Sequence, residues 1–278
     1  MKNIFALNDT DPNNEVFDGQ LFLCAEIPAT QQQICEEFDA DSEQLAEKAQ
    51  LPKPLQILMV VAGVAALLCI LVFVKLLDGE EPTPLYWFLI PAAIAGAVFL
   101  LLFVLARRKN EDVLKSREFA ILEENSDRID RENRAFLGVP ENTPMIDIFT
   151  YTYKIKNGKE KRDRFLFDFL NMELSAFCEN NTLYLADISS KYGIPLHDIT
   201  GIRCIDKKVR FPLWNKEEAP NKGIYKPFKI REDDSVYYMK PYYALDILHG
   251  GEEYELLFPG YELATIEKLT GLKAPEIN

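Results

Sequence analysis

Apolar and polar positions along this chain fall into three patterns. The middle holds two unbroken apolar runs, residues 55–77 (LQILMVVAGVAALLCILVFVKLL) and 85–106 (LYWFLIPAAIAGAVFLLLFVLA). Each exceeds the ~20 residues that an α-helix needs to cross a ~30 Å hydrocarbon core. Lys75 is the only charge in either run, near enough to an end to snorkel. A helix of a soluble core keeps a polar stripe, and these keep none. The pattern predicts two transmembrane helices. Their link, residues 78–84 (DGEEPTP), is too short for anything but an antiparallel hairpin, so both ends of the chain share one side.

The second pattern covers residues 107–139. Basic and acidic side chains balance at eight each from Arg107 to Leu137, while Leu114, Ile121 and Leu122 recur at helical spacing. This predicts a charged juxtamembrane helix, continuous with the membrane helix or following it, ended by Gly138 and Pro140. The third pattern starts at Met145 and has period two. Ile146, Ile148, Tyr151, Tyr153 and Ile155 lead to Asn157-Gly158, a strong hairpin signal, and Phe165, Phe167 and Phe169 alternate on the return. Further short strands are expected near residues 174–178, 183–186, 192–196, 199–205, 237–239, 243–248 and 254–258. Leu263, Ile266 and Leu269 share one face of a closing helix. Residues 140–278 thus read as one α+β domain, an antiparallel barrel or paired sheet capped by a C-terminal helix.

Charge orients these parts. Arg107, Arg108 and Lys109 follow the second run, Lys48 and Lys53 precede the first, and the link is acidic. The positive-inside rule then puts both termini in the cytoplasm of a multi-pass cell-membrane protein. Tyr86 and Trp87 suit the outer interface. Ala62 and Ala66, like Ala92 and Gly96, are spaced to let helices approach, for packing within the hairpin or between copies. No Asp, Glu, His or Arg lies inside either run, so the spans read as an anchor rather than an ion path. No basic n-region precedes an early apolar stretch, and no secretory signal is expected. Residues 1–54 hold eleven acids against three lysines, within a chain of net charge −13. They read as a largely disordered acidic segment, repelled by the anionic inner leaflet and open to a basic protein partner. A short strand within residues 16–27 and a short helix over 36–50 are the ordered alternative.

The segment Gly193-Ile194-Pro195-Leu196-His197-Asp198-Ile199-Thr200-Gly201-Ile202 resembles the IPL-x-DI-x-x-I stretch of bacterial pleckstrin-homology-like (PH-like) domains, in the GRAM and bacterial PH group. The resemblance covers residues 146–272. It implies a PH-like cytoplasmic domain tethered by the hairpin, with a groove between strand edge and terminal helix where a peptide adds as a strand. The insertion at 211–226 departs from the group, and the first two strands match it in pattern only.

Chemistry is sparse. Neither His197 nor His249 has a second ligand at metal spacing, and the five cysteines form no Cys-x-x-Cys. No phosphate-binding glycine loop or nucleophile elbow appears. No catalytic, cofactor or metal residue is assigned. A basic cluster, Lys154, Lys156, Lys159, Lys161, Arg162 and Arg164, surrounds the Asn-Gly turn, with Glu160 and Asp163 interrupting it. The corresponding loop of eukaryotic PH domains holds phosphoinositide headgroups, and the resemblance implies weak contact with anionic lipid here; the alternative is a solvated turn. Lys207, Lys208 and Arg210 form a smaller basic group, read as solvated. A sequence pI near 4.8 argues against nucleic acid. The expected function is a non-enzymatic membrane-anchored adaptor with a protein partner. The alternative is an accessory or regulatory subunit of a membrane transporter or enzyme, docking through the hairpin helices.

Overall fold

The computed structural model describes residues 1–9, 20–77, 86–162, 167–212, 222–228, 230–233 and 236–275. The chain divides into two compact units. Residues Thr30–Arg131 form one; Met1–Ala29 together with Glu132–Asn278 form the other.

The helical unit is built from α1 (Ala29–Ala49), α2 (Lys53–Leu77), α3 (Tyr86–Leu114) and α4 (Arg117–Phe136), whose last residues from Glu132 belong to the other unit. Pro52 and Pro54 end α1 and open α2, because proline lacks the N–H that a helix interior needs and fits best in a helix's first turn. Two of these helices, α2 and α3, are long and apolar enough to cross a membrane. Helix α3 runs past the apolar stretch to Leu114, and an ion pair from Arg107 to Glu111 at 2.9 Å supports the extension. It is not continuous with α4. The break lies at Lys115-Ser116, and the Ser116 hydroxyl accepts a hydrogen bond from the Phe119 amide at 3.1 Å, an N-cap. Helices α2 and α3 pack on each other: a Cβ added at Gly63 would lie 3.2 Å from the Phe99 ring. Ala62 is buried as well, whereas nothing lies within 4 Å of a Cβ added at Gly96. Of the two small-residue spacings, the one in α2 lines the seam. The predicted link, residues 78–84, lies outside the described residues.

The other unit holds fifteen strands among the described residues. The first three are β1 (Lys2–Asn3), β2 (Leu7–Asn8) and β3 (Leu23–Glu26). The rest follow α4: β4 (Met145–Thr150), β5 (Thr152–Lys156), β6 (Lys159–Arg162), β7 (Leu170–Glu179), β8 (Thr182–Ala186), β9 (Ser190–Pro195), β10 (Ile199–Ile205), β11 (Val209–Phe211), β12 (Arg231–Asp233), β13 (Val236–Met239), β14 (Tyr242–His249) and β15 (Glu252–Pro259). Helix α5 (Leu263–Thr270) closes the fold, with Gly271 in the left-handed conformation as its C-terminal stop. The main sheet runs β10-β14-β15-β4-β7-β8-β9-β3, with β1 parallel to β15; β11-β13-β12 and β2-β5-β6 form two small sheets.

Two apolar cores flank the centre of the main sheet. Ile146, Leu183, Leu245, Leu256 and Phe258 fill the first, and Ile266 of α5 inserts into it with Leu263 and Leu269 beside it, the face expected from their spacing. Phe149, Phe169, Phe211, Tyr242 and Leu257 fill the second. Strands β4, β14 and β15 therefore supply both cores from alternate positions, as strand geometry requires.

Three expectations change. Residues 1–54 are not a largely disordered segment over their described length. Ile4 and Phe5 sit in the first core, the Phe5 amide donates to Asn3 Oδ1 at 2.8 Å, and Asn3 Nδ2 donates to the Phe149 carbonyl at 2.9 Å. Strand β3 pairs antiparallel with β9, burying Phe22 nearby, and α1 is longer than the helix expected over 36–50. Acidic composition misleads because the few apolar residues here are concentrated where they pack. The compact sheet unit accordingly is not 140–278 alone but includes residues 1–29. Lastly, the sheet is open, not a closed barrel: β10 and β3 end it without pairing to each other.

Candidate functional site

The predicted basic cluster centres on the β5–β6 hairpin. Asn157 (φ 54°) and Gly158 (φ 70°) take the left-handed conformation of a two-residue turn that matches strand twist. The register then sets the chemistry. Lys154 pairs across with Lys161, and Lys156 with Lys159. Alternation puts all four lysines on one face and Tyr153, Ile155 and Arg162 on the other.

The structure thus splits the six predicted residues. Lys154 reaches Asp9 at 2.6 Å, through a strand pairing of β2 with β5 that the sequence did not announce. Lys156, Lys159 and Lys161 are exposed and carry no ion pair among the described residues. Arg162 turns the other way: its guanidinium stacks 3.8 Å from the Tyr151 ring centroid and donates to the Tyr151 hydroxyl at 3.1 Å. Arg164 lies outside the described residues. Like charges directly opposite on a sheet are destabilising. Two such pairs, on the free edge strand β6, give a cationic face that repels itself and gains from any nearby anion.

Sequence reasoning treated the two histidines as isolated. Folding brings both to Asp198: His249 Nδ1 at 2.7 Å from Oδ2 and His197 Nε2 at 3.4 Å from Oδ1. The Phe22 ring packs edge-on against His249 at 5.2 Å, so this pair ties the β14–β15 turn to the start of β10 and to the segment before β3. Among the described residues no group of three His, Cys, Asp or Glu could hold a metal ion.

Buried polar contacts also escaped notice. Asp147, fully buried, accepts from Tyr261 Oη at 2.7 Å and Asn171 Nδ2 at 2.9 Å, while its own amide donates to Glu262 at 3.2 Å. Burial and the adjacent carboxylate push the Tyr261 hydroxyl far above the ordinary phenol range. Arg203 is raised too, chiefly by its hydrogen bonds to Asp246 at 2.8 Å, with Glu255 at 2.9 Å adding to it. These contacts join strands. Nothing in their arrangement pairs a nucleophile with a base at an open surface.

The chain matches no family model, no curated protein and no solved structure.

Proposed function

We propose that this chain is a non-enzymatic adaptor anchored in the cell membrane by α2 and α3, with both termini in the cytoplasm. Its sheet unit is a PH-like domain presented at the inner face. The strand order supports that reading: β4-β7-β8-β9 and β10-β14-β15 form two meanders, joined along β15 and β4 and capped by α5. The residues Arg107, Arg108 and Lys109 after the second span support the orientation.

The observation that carries the functional reading is the lysine face of the β5–β6 hairpin. Each basic side chain near an anionic bilayer surface contributes about 1 kcal/mol, and tethering holds the face at an effective concentration near the millimolar range. A protein partner adds along a strand edge. The edge beyond β9 is filled by β3, so the main sheet offers its two terminal strands, β10 and β3, as edges.

Amide exchange on the full chain in nanodiscs tests the lipid contact. Strands β5 and β6 should exchange more slowly in phosphatidylglycerol than in phosphatidylcholine, and the difference should vanish when Lys156, Lys159 and Lys161 become Glu. No lipid dependence at low salt would mean that the hairpin is a solvated turn.

One observation favours a second reading, the accessory subunit that docks through its helices. Ala49, Leu51, Met59, Val60 and Ala106 line a largely apolar cavity of about 570 Å³ at the junction of α1, α2 and α3. Exchanging α2 and α3 for an unrelated two-helix anchor separates the two: an adaptor keeps its function and a docked subunit loses it.

A further inference from the structure

The β11–β13–β12 sheet has two unlike faces. Val209, Phe211 and Met239 are buried in the second core. On the other face, cations gather around the Tyr238 ring. Arg210 and Arg231 both pair across the sheet with Tyr238, one from each side. Lys208 reaches over the same ring, its Nζ 4.2 Å from the centroid, and Lys240, just past the end of β13, lines the same pocket.

Two of the four cations are neutralised. Asp168 accepts from Arg210 Nε at 3.2 Å, and Asp206 lies 3.0 Å from Lys240 Nζ. Lys208 and Arg231 have no carboxylate partner among the described residues. Together with Pro227, Phe228, Tyr238 and Lys240 they line a cavity of about 480 Å³. The chain's net charge of −13 makes such a local excess of positive charge notable.

We propose that this cavity binds a small phosphate-bearing anion. Arg231 offers a planar fork of donors and Lys208 a point charge from the opposite side of Tyr238. Two positive charges with no carboxylate partner among the described residues match a phosphate monoester, which carries about −1.5 to −2 at neutral pH. The Phe228 and Tyr238 rings form an apolar wall for whatever group bears the phosphate. The site is built from Lys208 before β11, Pro227 and Phe228, and residues of β12 and β13, and shares no residue with the lysine hairpin. It stands whether or not the hairpin touches lipid. A soluble phosphate monoester and the monoester headgroup of phosphatidic acid satisfy the same chemistry.

Two arms of one experiment on the full chain distinguish these sources. In nonionic detergent, calorimetric titration with inorganic phosphate should show saturable binding that weakens as salt rises. Arg231→Gln and Lys208→Gln should each weaken it about tenfold, the loss of one charge-assisted hydrogen bond. Lys159→Gln in the hairpin should leave it unchanged. In nanodiscs, slower amide exchange of β12 and β13 in phosphatidic acid than in phosphatidylcholine, abolished by the same two substitutions, would identify the headgroup as the source. Either result supports the site. Both positions are on the surface, so unchanged melting temperatures will show that the variants fold; if one melts lower, the other carries the test. Absence of both signals, or signals that survive both substitutions, would overturn the proposal.

Discussion

Leucine has opposite meanings in the two units of this protein. In the sheet unit Leu183 and Leu185 are fully buried; in the helical unit Leu67 is 62% exposed and Leu101 61% exposed. The same side chain cannot be favourable in both places in one solvent, because exposed apolar area costs about 25 cal/mol per Å² in water. The difference teaches that the units are built for different surroundings. On the reading proposed above, the sheet unit hides its apolar groups from water, while α2 and α3 turn theirs toward hydrocarbon and bury little more than the seam at Gly63 and Phe99.

The sharpest way to break this comparison is to cut the sheet unit where its sequence is continuous. Residues 132–278 alone lack β1, β3, Ile4 and Phe5, and should not unfold cooperatively. Residues 1–29 joined by a flexible linker to 132–278 should do so, followed by circular dichroism in urea. Within the intact chain, Phe5→Ala should cost about 3–5 kcal/mol, the usual penalty for emptying a buried aromatic site. Next in size, Ile266→Asp puts an unpaired charge into the first core and should cost several kcal/mol of sheet-unit stability. Leu67→Asp should instead cost about 3 kcal/mol at membrane insertion and leave sheet-unit melting unchanged.

How far the sequence reveals this division depends on the distance between interacting residues. Helices α2 and α3 were legible because their apolar runs are local, and so was the hairpin turn at Asn157-Gly158. The α5 face was legible because Leu263, Ile266 and Leu269 repeat within one helix. The N-terminal strands were not. Lys2 and Asn3 meet partners some 250 residues away, Tyr254 and Glu255, and a two-residue strand has no periodicity to read. Asp147 was misleading for a related reason. Between Ile146 and Ile148 it reads as an outward position, but the second core covers that face too, so Tyr261 and Asn171 must satisfy its carboxylate. At the candidate site, the cluster was visible while its faces were not. Only the register sends four lysines one way and Arg162 the other.

Smaller effects sharpen the sheet unit's side of the comparison. Tyr261→Phe removes a donor from buried Asp147 and should cost about 1–3 kcal/mol in urea unfolding. The pH dependence follows from three buried phenols. Burial raises Tyr243 and Tyr261, and burial with nearby Asp187 pushes Tyr192 up to about 12. The unfolded chain then loses these protons near pH ~10 while the folded unit keeps them. Stability is full below that value and falls as pH rises above it. Tyr192→Phe should shallow the decline between about pH 10 and 12. The smallest effect concerns Glu267, held below the ordinary carboxylate range first by Lys273 at 2.8 Å and then by the Ala274 amide at 2.9 Å. This contribution is present above the unfolded value and is lost as pH falls through the folded one, so the segment after α5 should loosen in acid, seen as faster exchange at residues 272–275.

The central claim is that α2 lies in hydrocarbon and the sheet unit in cytoplasmic water. The chain carries its own reporters: Cys24 is exposed beside β9, and Cys69 lies within α2. With the other cysteines replaced by serine, a membrane-impermeant maleimide should label Cys24 in inside-out vesicles but not in right-side-out ones. Cys69 should be labelled in neither until detergent is added. Rapid labelling of Cys69 in intact vesicles, or of Cys24 from the outside, would contradict the account.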